Sequence, residues 1–159
     1  IGCFDDPGLH AARERVSIPV VGLGKTSMTT ASLLGNKFAV ISTGKNSGAI
    51  NERNAMDLGL IKRLAYSSGI DVPVLELTKD RTKVRRLLLE EAEKAVGEFG
   101  AEVIVLGCGG MMGFSEEMSK ILRVPVIDPL LVTVKTAETL ATLGLRHSKA
   151  YFYHTSSRR

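Results

Sequence analysis

Aromatic side chains make up only 5% of this 159-residue chain, and its two cysteines stand 105 positions apart. Few aromatics, with acidic residues interleaved among the basic ones, remove the aromatic–basic pattern of a nucleic-acid reader despite a net charge of +4. The charge reads as a solvated surface with a mild pull on anions. Neither cysteine has a CxxC partner or a histidine close by, which leaves no zinc pattern, no metal site and no disulfide framework. No apolar run approaches the roughly 18 residues of a membrane span, and no secretory signal opens the chain. The expectation is a cytoplasmic protein with neither membrane nor nucleic acid as partner.

What is present is an ordinary globular composition, 44% hydrophobic and 24% charged, enough to bury a sizeable core. The focal stretch is VIVLGCGG, Val103 to Gly110. Its apolar run suits a strand buried on both faces of a parallel sheet, and its glycines let the backbone turn close to a ligand. Cys108 then stands at the carboxyl end of a strand, where open α/β sheets keep their ligands. Taken alone, the thiol fits a core filler better than a catalytic group.

Apolar spacing and stop signals predict the other elements. Helices are expected at Leu9 to Arg15, Thr26 to Leu34, Glu52 to Ser68, Arg81 to Phe99, Ser115 to Leu122 and Thr133 to Leu143. Strands are expected at Phe38 to Ile41 and Val72 to Leu77, with short extended runs at Ile18 to Val21 and Val124 to Ile127; Lys149 to His154 reads as a last strand or a tail. The alternation implies an α/β protein with parallel strands.

An internal repeat lies beneath this order. Gly2-Cys3 is followed 16 residues later by Pro19 in IPVV, and Gly107-Cys108 is followed 17 residues later by Pro125 in VPVI. Each run leads to a helix ending in Leu-Gly and then to a basic, apolar stretch. The repeat predicts two pseudo-symmetric parallel-sheet domains: residues 1–35 with 128–159 as the remainder of a first, and 36–127 as a second that carries Cys108. It also predicts that roughly 65 to 70 residues of the first domain's sheet lie upstream of Cys3, because each half must bury its own sheet.

Two thiols facing one cleft can exchange a proton with a carbon between them. One, as thiolate, removes a proton from one face while the other delivers a proton to the opposite face, inverting the centre. Gly109 and Gly110 offer N–H groups to a thiolate and to a developing enolate oxygen. This chemistry calls for no cofactor. Thiol redox chemistry is the competing use of two cysteines.

GCFDDPG at Gly2 to Gly8, LGCGGM at Leu106 to Met111 and VPVIDPL at Val124 to Leu130 resemble the aspartate/glutamate/hydantoin racemase superfamily, and most closely its hydantoin racemase branch. The resemblance runs from Ile1 to about Lys149. It implies a cofactor-independent racemase of 5-substituted hydantoins or a related cyclic ureide such as allantoin, with aspartate or glutamate as the alternative substrates. It implies Cys3 and Cys108 as the acid/base pair, with substrate contacts at Asp6 or Gly8, at Thr43 and at Gly109. The branch carries a glycine where this chain has Asp5, and its Asn-Pro-Asn-type loop has no counterpart here. A small-molecule substrate and a homo-oligomer follow as expectations.

Other features reduce to structure. Gly24-Lys25-Thr26 resembles the tail of a phosphate-binding loop, but that motif needs glycine where Pro19 stands. His10, His147 and His154 fit surface or helix-end roles. Asp128, before Pro129, is expected to cap a helix.

Overall fold

The computed structural model describes residues 1–154. Its strands are β1 (Phe38–Ser42), β2 (Leu64–Gly69), β3 (Val103–Leu106) and β4 (Val126–Ile127). They form a parallel sheet in the order β2-β1-β3-β4. Among the described residues six helices accompany it: α1 (Leu9–Arg15), α2 (Leu23–Leu34), α3 (Ser47–Asp57), α4 (Arg81–Gly97), α5 (Ser115–Leu122) and α6 (Pro129–Thr142). Among the described residues no helix is long and apolar enough to cross a membrane.

β1 and β3 are buried at every position, so alternate residues serve two cores. Phe38, Val40, Val103 and Val105 pack with Met28 and Ala31 of α2 and Ala55 of α3. Ala39, Ile41, Ile104 and Leu106 pack with Val84, Leu88 and Ala92 of α4 and Met118 of α5. Each large aliphatic side chain fully buried here contributes about 1.5–3 kcal/mol relative to exposure. The result is a three-layer α/β/α arrangement, with α2 and α6 also packed on one another.

Local signals set most element ends. Asp80 accepts the Lys83 N–H at 2.9 Å and starts α4, and Gly100 follows its end at a φ of 66°. Asp128 caps α6 as expected, accepting the N–H groups of Leu130 and Leu131 at 3.0 and 3.3 Å. With Pro129 in the first helical turn, α6 begins four residues before the expected Thr133.

Two expectations are corrected. The helix expected over Glu52 to Ser68 ends at Asp57, and Leu64–Gly69 is instead strand β2 on the edge of the sheet. Leu58, Ile61, Leu64 and Ala65 have helical spacing, but Gly59 turns the chain at a φ of 70° and pairing with β1 claims the residues beyond. The strand expected over Val72 to Leu77 is a loop with a 3-10 turn at Val74–Glu76, since β2 already occupies that edge. Lys149 to His154 is not a strand. It folds back as turns on α1, where Lys149 Nζ donates to the carbonyls of Arg13 and Glu14, and Tyr153 Oη accepts from Arg13 at 3.0 Å. His147 Nε2 accepts the Val20 N–H at 2.7 Å, and burial holds this imidazole below its ordinary pKa. These contacts give His147 a structural role.

Candidate active site

The parallel register of β1 and β3 places Ile41 opposite Leu106, so both strands end side by side. The Gly107 N–H donates to the Ile41 carbonyl at 2.7 Å, one residue past the end of β3. The chains then separate, Ser42 and Thr43 toward α3, Gly107 and Cys108 into a 3-10 turn at Gly109–Met111. A Cβ at Gly107 would overlap the Ser42 hydroxyl, so this close approach requires glycine.

Cys3 reaches the same place on a separate loop near the start of the chain. Its loop turns tightly, the Asp6 N–H donating to the Cys3 carbonyl at 3.1 Å. Phe4 and Asp6 point inward and are buried, while Cys3 and Asp5 point outward. Phe4 joins the core beneath α2. Asp6, at a φ of 51°, sends its carboxylate to the start of α2, accepting the N–H groups of Gly24 at 3.1 Å and Lys25 at 2.8 Å. Burial pushes the Asp6 carboxyl above its usual range, against the pull of those two N–H groups.

Between the loop and the strand ends lies a cleft of about 350 Å³, within the range for small-molecule sites. Cys3 and Cys108 both line it, and so do Thr43, Gly109 and Gly110. Asp6 and Gly8 stand outside it, Asp6 turned to α2 and Gly8 at the start of α1. Asp5, which stands where the branch carries a glycine, lines it too, with Phe4, Ser42 at the end of β1, Ser47 at the start of α3, Ile50 and Leu130. Asp5 and Leu130 belong to the same motifs as Cys3 and Asp128, which was the available signal. Val74 also reaches the cleft, carried there by the loop read as a strand.

The Cys108 thiol is half-buried, and its Sγ accepts the Gly110 N–H at 3.4 Å. Burial is the main reason it is held above the ordinary cysteine range; the Gly110 N–H opposes this, and the charges of Cys3 and Asp5 add to it. Below the cleft floor, buried Asn51 donates to Ser67 Oγ at 2.9 Å and toward Ser42 Oγ at 3.4 Å, fixing the hydroxyl at the end of β1. A wider surface groove, about 550 Å³, runs along α4 and carries no thiol. Its walls are charged groups that pair with one another, such as Arg86 and Glu90 at 2.6 Å. Among the described residues no three His, Cys, Asp or Glu side chains gather as a metal cage.

Residues 1–137 match the family model described as Asp/Glu/Hydantoin racemase. The chain is 43% identical over 153 residues to hydantoin racemase of Rhizobium meliloti, covering 96% of this chain and 64% of that protein. Hydantoin racemase of Pseudomonas sp. (strain NS671) is 39% identical over 153 residues, with 96% and 61% covered. The chain therefore spans less than two thirds of the length of these curated relatives. The crystal structure of allantoin racemase from Pseudomonas fluorescens superimposes with a TM-score of 0.94 at 33% identity, over 99% of this chain and 67% of that one.

Proposed function

The chain belongs to the Asp/Glu/hydantoin racemase family, and from that premise we propose that it racemises 5-substituted hydantoins or a related cyclic ureide such as allantoin, by proton transfer between Cys3 and Cys108. The observation that carries this reading is that both thiols line one small cleft at the ends of β1 and β3. One thiolate takes the proton from the ring carbon beside the carbonyl, the electron pair moves onto that carbonyl as an enolate, and the other thiol protonates the opposite face. The two cysteines exchange protonation states in the process, and the reverse turnover restores them. Burial disfavours the Cys108 thiolate, so Cys108 gives up its proton less readily than an ordinary cysteine.

The cleft walls support a ureide over an amino acid. Ser42, Thr43 and Ser47 offer hydroxyls, and Gly109 and Gly110 offer backbone N–H groups, a set matched to the neutral amide edges of a ring. Among the described residues no lysine or arginine lines the cleft to pair with an α-carboxylate. The same reading assigns residues 1–35 and 128–159 to one pseudo-symmetric unit, of which 155–159 lie outside the described residues, and 36–127 to the other. All four strands of the sheet fall within 36–127, which supports that division. A cytoplasmic homo-oligomer acting on a small molecule, with no cofactor, completes the proposal.

The test supplies single enantiomers of a 5-alkyl hydantoin, of allantoin and of aspartate in deuterated buffer, following optical rotation and deuterium at the chiral carbon against the uncatalysed rate. Rotation should decay with deuterium incorporation for a ureide and not for aspartate. Cys3→Ser and Cys108→Ser should each slow racemisation at least ~100-fold, the usual worth of a general acid or base. Full racemisation by either variant overturns the two-thiol mechanism, and decay with aspartate alone overturns the substrate class.

A further inference from the structure

Among the described residues Asp5 is the one charged side chain lining the thiol cleft. Its neighbours Phe4 and Asp6 are buried and committed, to the core beneath α2 and to the α2 start. Asp5 is exposed, and among the described residues its carboxylate has no hydrogen bond and no ion pair. Neither Lys45 nor Arg81 pairs with it. Lys45, in the loop after β1, pairs with Asp71 at 2.9 Å, and Arg81 lies over the Phe114 ring at 4.2 Å. An unpaired carboxylate in a partly enclosed cleft projects its field onto whatever binds there, and low-dielectric walls strengthen that field.

We propose that Asp5 sets the charge specificity of this cleft, selecting ligands whose substituent carries a cation, such as an ammonium or guanidinium, and rejecting those that carry an anion. Applied to the racemase reading, on which this part rests, the preferred substrate is a hydantoin with a basic 5-substituent, its ring between the thiols and its cation against Asp5. The hydroxyls of Ser42 and Thr43 recognise the neutral ring and are indifferent to that charge, so the discrimination falls to Asp5. The influence of Asp5 on the Cys108 thiol reflects the same field reaching across the cleft.

Two measurements on the full chain test this. The first needs no turnover. In a Cys3→Ser background, Cys108 is labelled with a cationic (trimethylammonioethyl) and an anionic (sulfonatoethyl) methanethiosulfonate, and the ratio of the two rates is taken. Asp5→Asn should lower the cation-to-anion ratio on the order of tenfold, as expected for a unit charge several ångströms away in a partly hydrated site. Asp5→Glu, which restores the charge, should recover most of it. An unchanged ratio in Asp5→Asn overturns the proposal whatever the protein catalyses. The second compares kcat/KM for 5-(4-aminobutyl)hydantoin and 5-(2-carboxyethyl)hydantoin with both cysteines present. The aminobutyl compound should be favoured, and Asp5→Asn should erase most of the preference. If ureides racemise but Asp5→Asn leaves their ratio unchanged, the specificity proposal falls and the racemase reading stands. If the labelling ratio drops while no ureide racemises, the racemase reading falls and the charge selection by Asp5 stands.

Discussion

The carboxylate of Asp6 accepts the backbone N–H of Lys25 at 2.8 Å, tying the loop that carries Cys3 to the first turn of α2. The same carboxylate takes the Gly24 N–H, so one buried side chain satisfies two donors that the helix start leaves open. Asp6→Ala orphans both, and we expect a loss of about 1–3 kcal/mol in urea unfolding. Released from α2, the loop should also lose its fixed geometry, read as a changed alkylation rate of the already exposed Cys3 under native conditions. Asp6→Asn keeps one acceptor oxygen and should fall between the two proteins in both measurements.

Glycines 24 and 97 should respond to alanine with opposite signs. A Cβ at Gly24 would overlap the Phe4 carbonyl oxygen, which is backbone and cannot swing away. Gly24→Ala should therefore shift the Cys3 loop and lower stability by about 2 kcal/mol or more, within the range for strained substitutions. Gly97, at the end of α4, has nothing within 4 Å of its Cβ position. There alanine reduces unfolded-chain entropy and should stabilise by about 0.4–1 kcal/mol, read as a rise in thermal midpoint.

Leu88 is fully buried on α4, packed against the sheet face formed by Ala39, Ile41, Ile104 and Leu106. Leu88→Ala removes that contact and leaves a cavity, at a cost of about 2–5 kcal/mol. Denaturant titration should show the midpoint falling with little change in slope. Leu75 is 86% exposed, and truncating it should change stability by less than about 0.5 kcal/mol.

The pH dependence of Cys108 alkylation by a neutral reagent should lie to the alkaline side of an ordinary cysteine. The sign follows from the causes: burial disfavours the thiolate, nearby negative charge on Asp5 does the same, and the Gly110 N–H only partly offsets them. In a Cys3→Ser background, rates measured from pH 6 to 10 should rise with a midpoint above that of free cysteine. Adding Asp5→Asn should shift the curve back toward acid and raise the rate at pH 7.5. A midpoint below that of free cysteine contradicts the burial argument.

α4 was legible almost to the residue because its apolar spacing, its Asp80 start and the glycine after it all agree. β3 and its thiol were equally plain, since a run of four β-formers ending in Gly-Cys-Gly-Gly admits few other local structures. Gly109 and Gly110 were legible as N–H donors beside the thiol, Thr43 came with the family resemblance, and a parallel sheet brings the strand ends before them together. β2 was not legible. Leu64 and Ala65 continue a helical spacing, and only the vacant edge of β1 makes them a strand.

By itself, then, the sequence determined the α/β class, the two motifs that carry Cys3 and Cys108, and the helices whose period and caps coincide, because those properties are written in neighbouring residues. Tertiary structure alone decided which edge β2 would join, that Val74 would reach the cleft, and which of two adjacent aspartates faces it. Asp6 was expected near the substrate, while Asp5 was marked only as standing where the branch carries a glycine. Yet the buried start of α2 draws Asp6 inward at a left-handed φ and leaves Asp5 in the cleft. That choice depends on donors 18 and 19 residues away, beyond the reach of any local pattern.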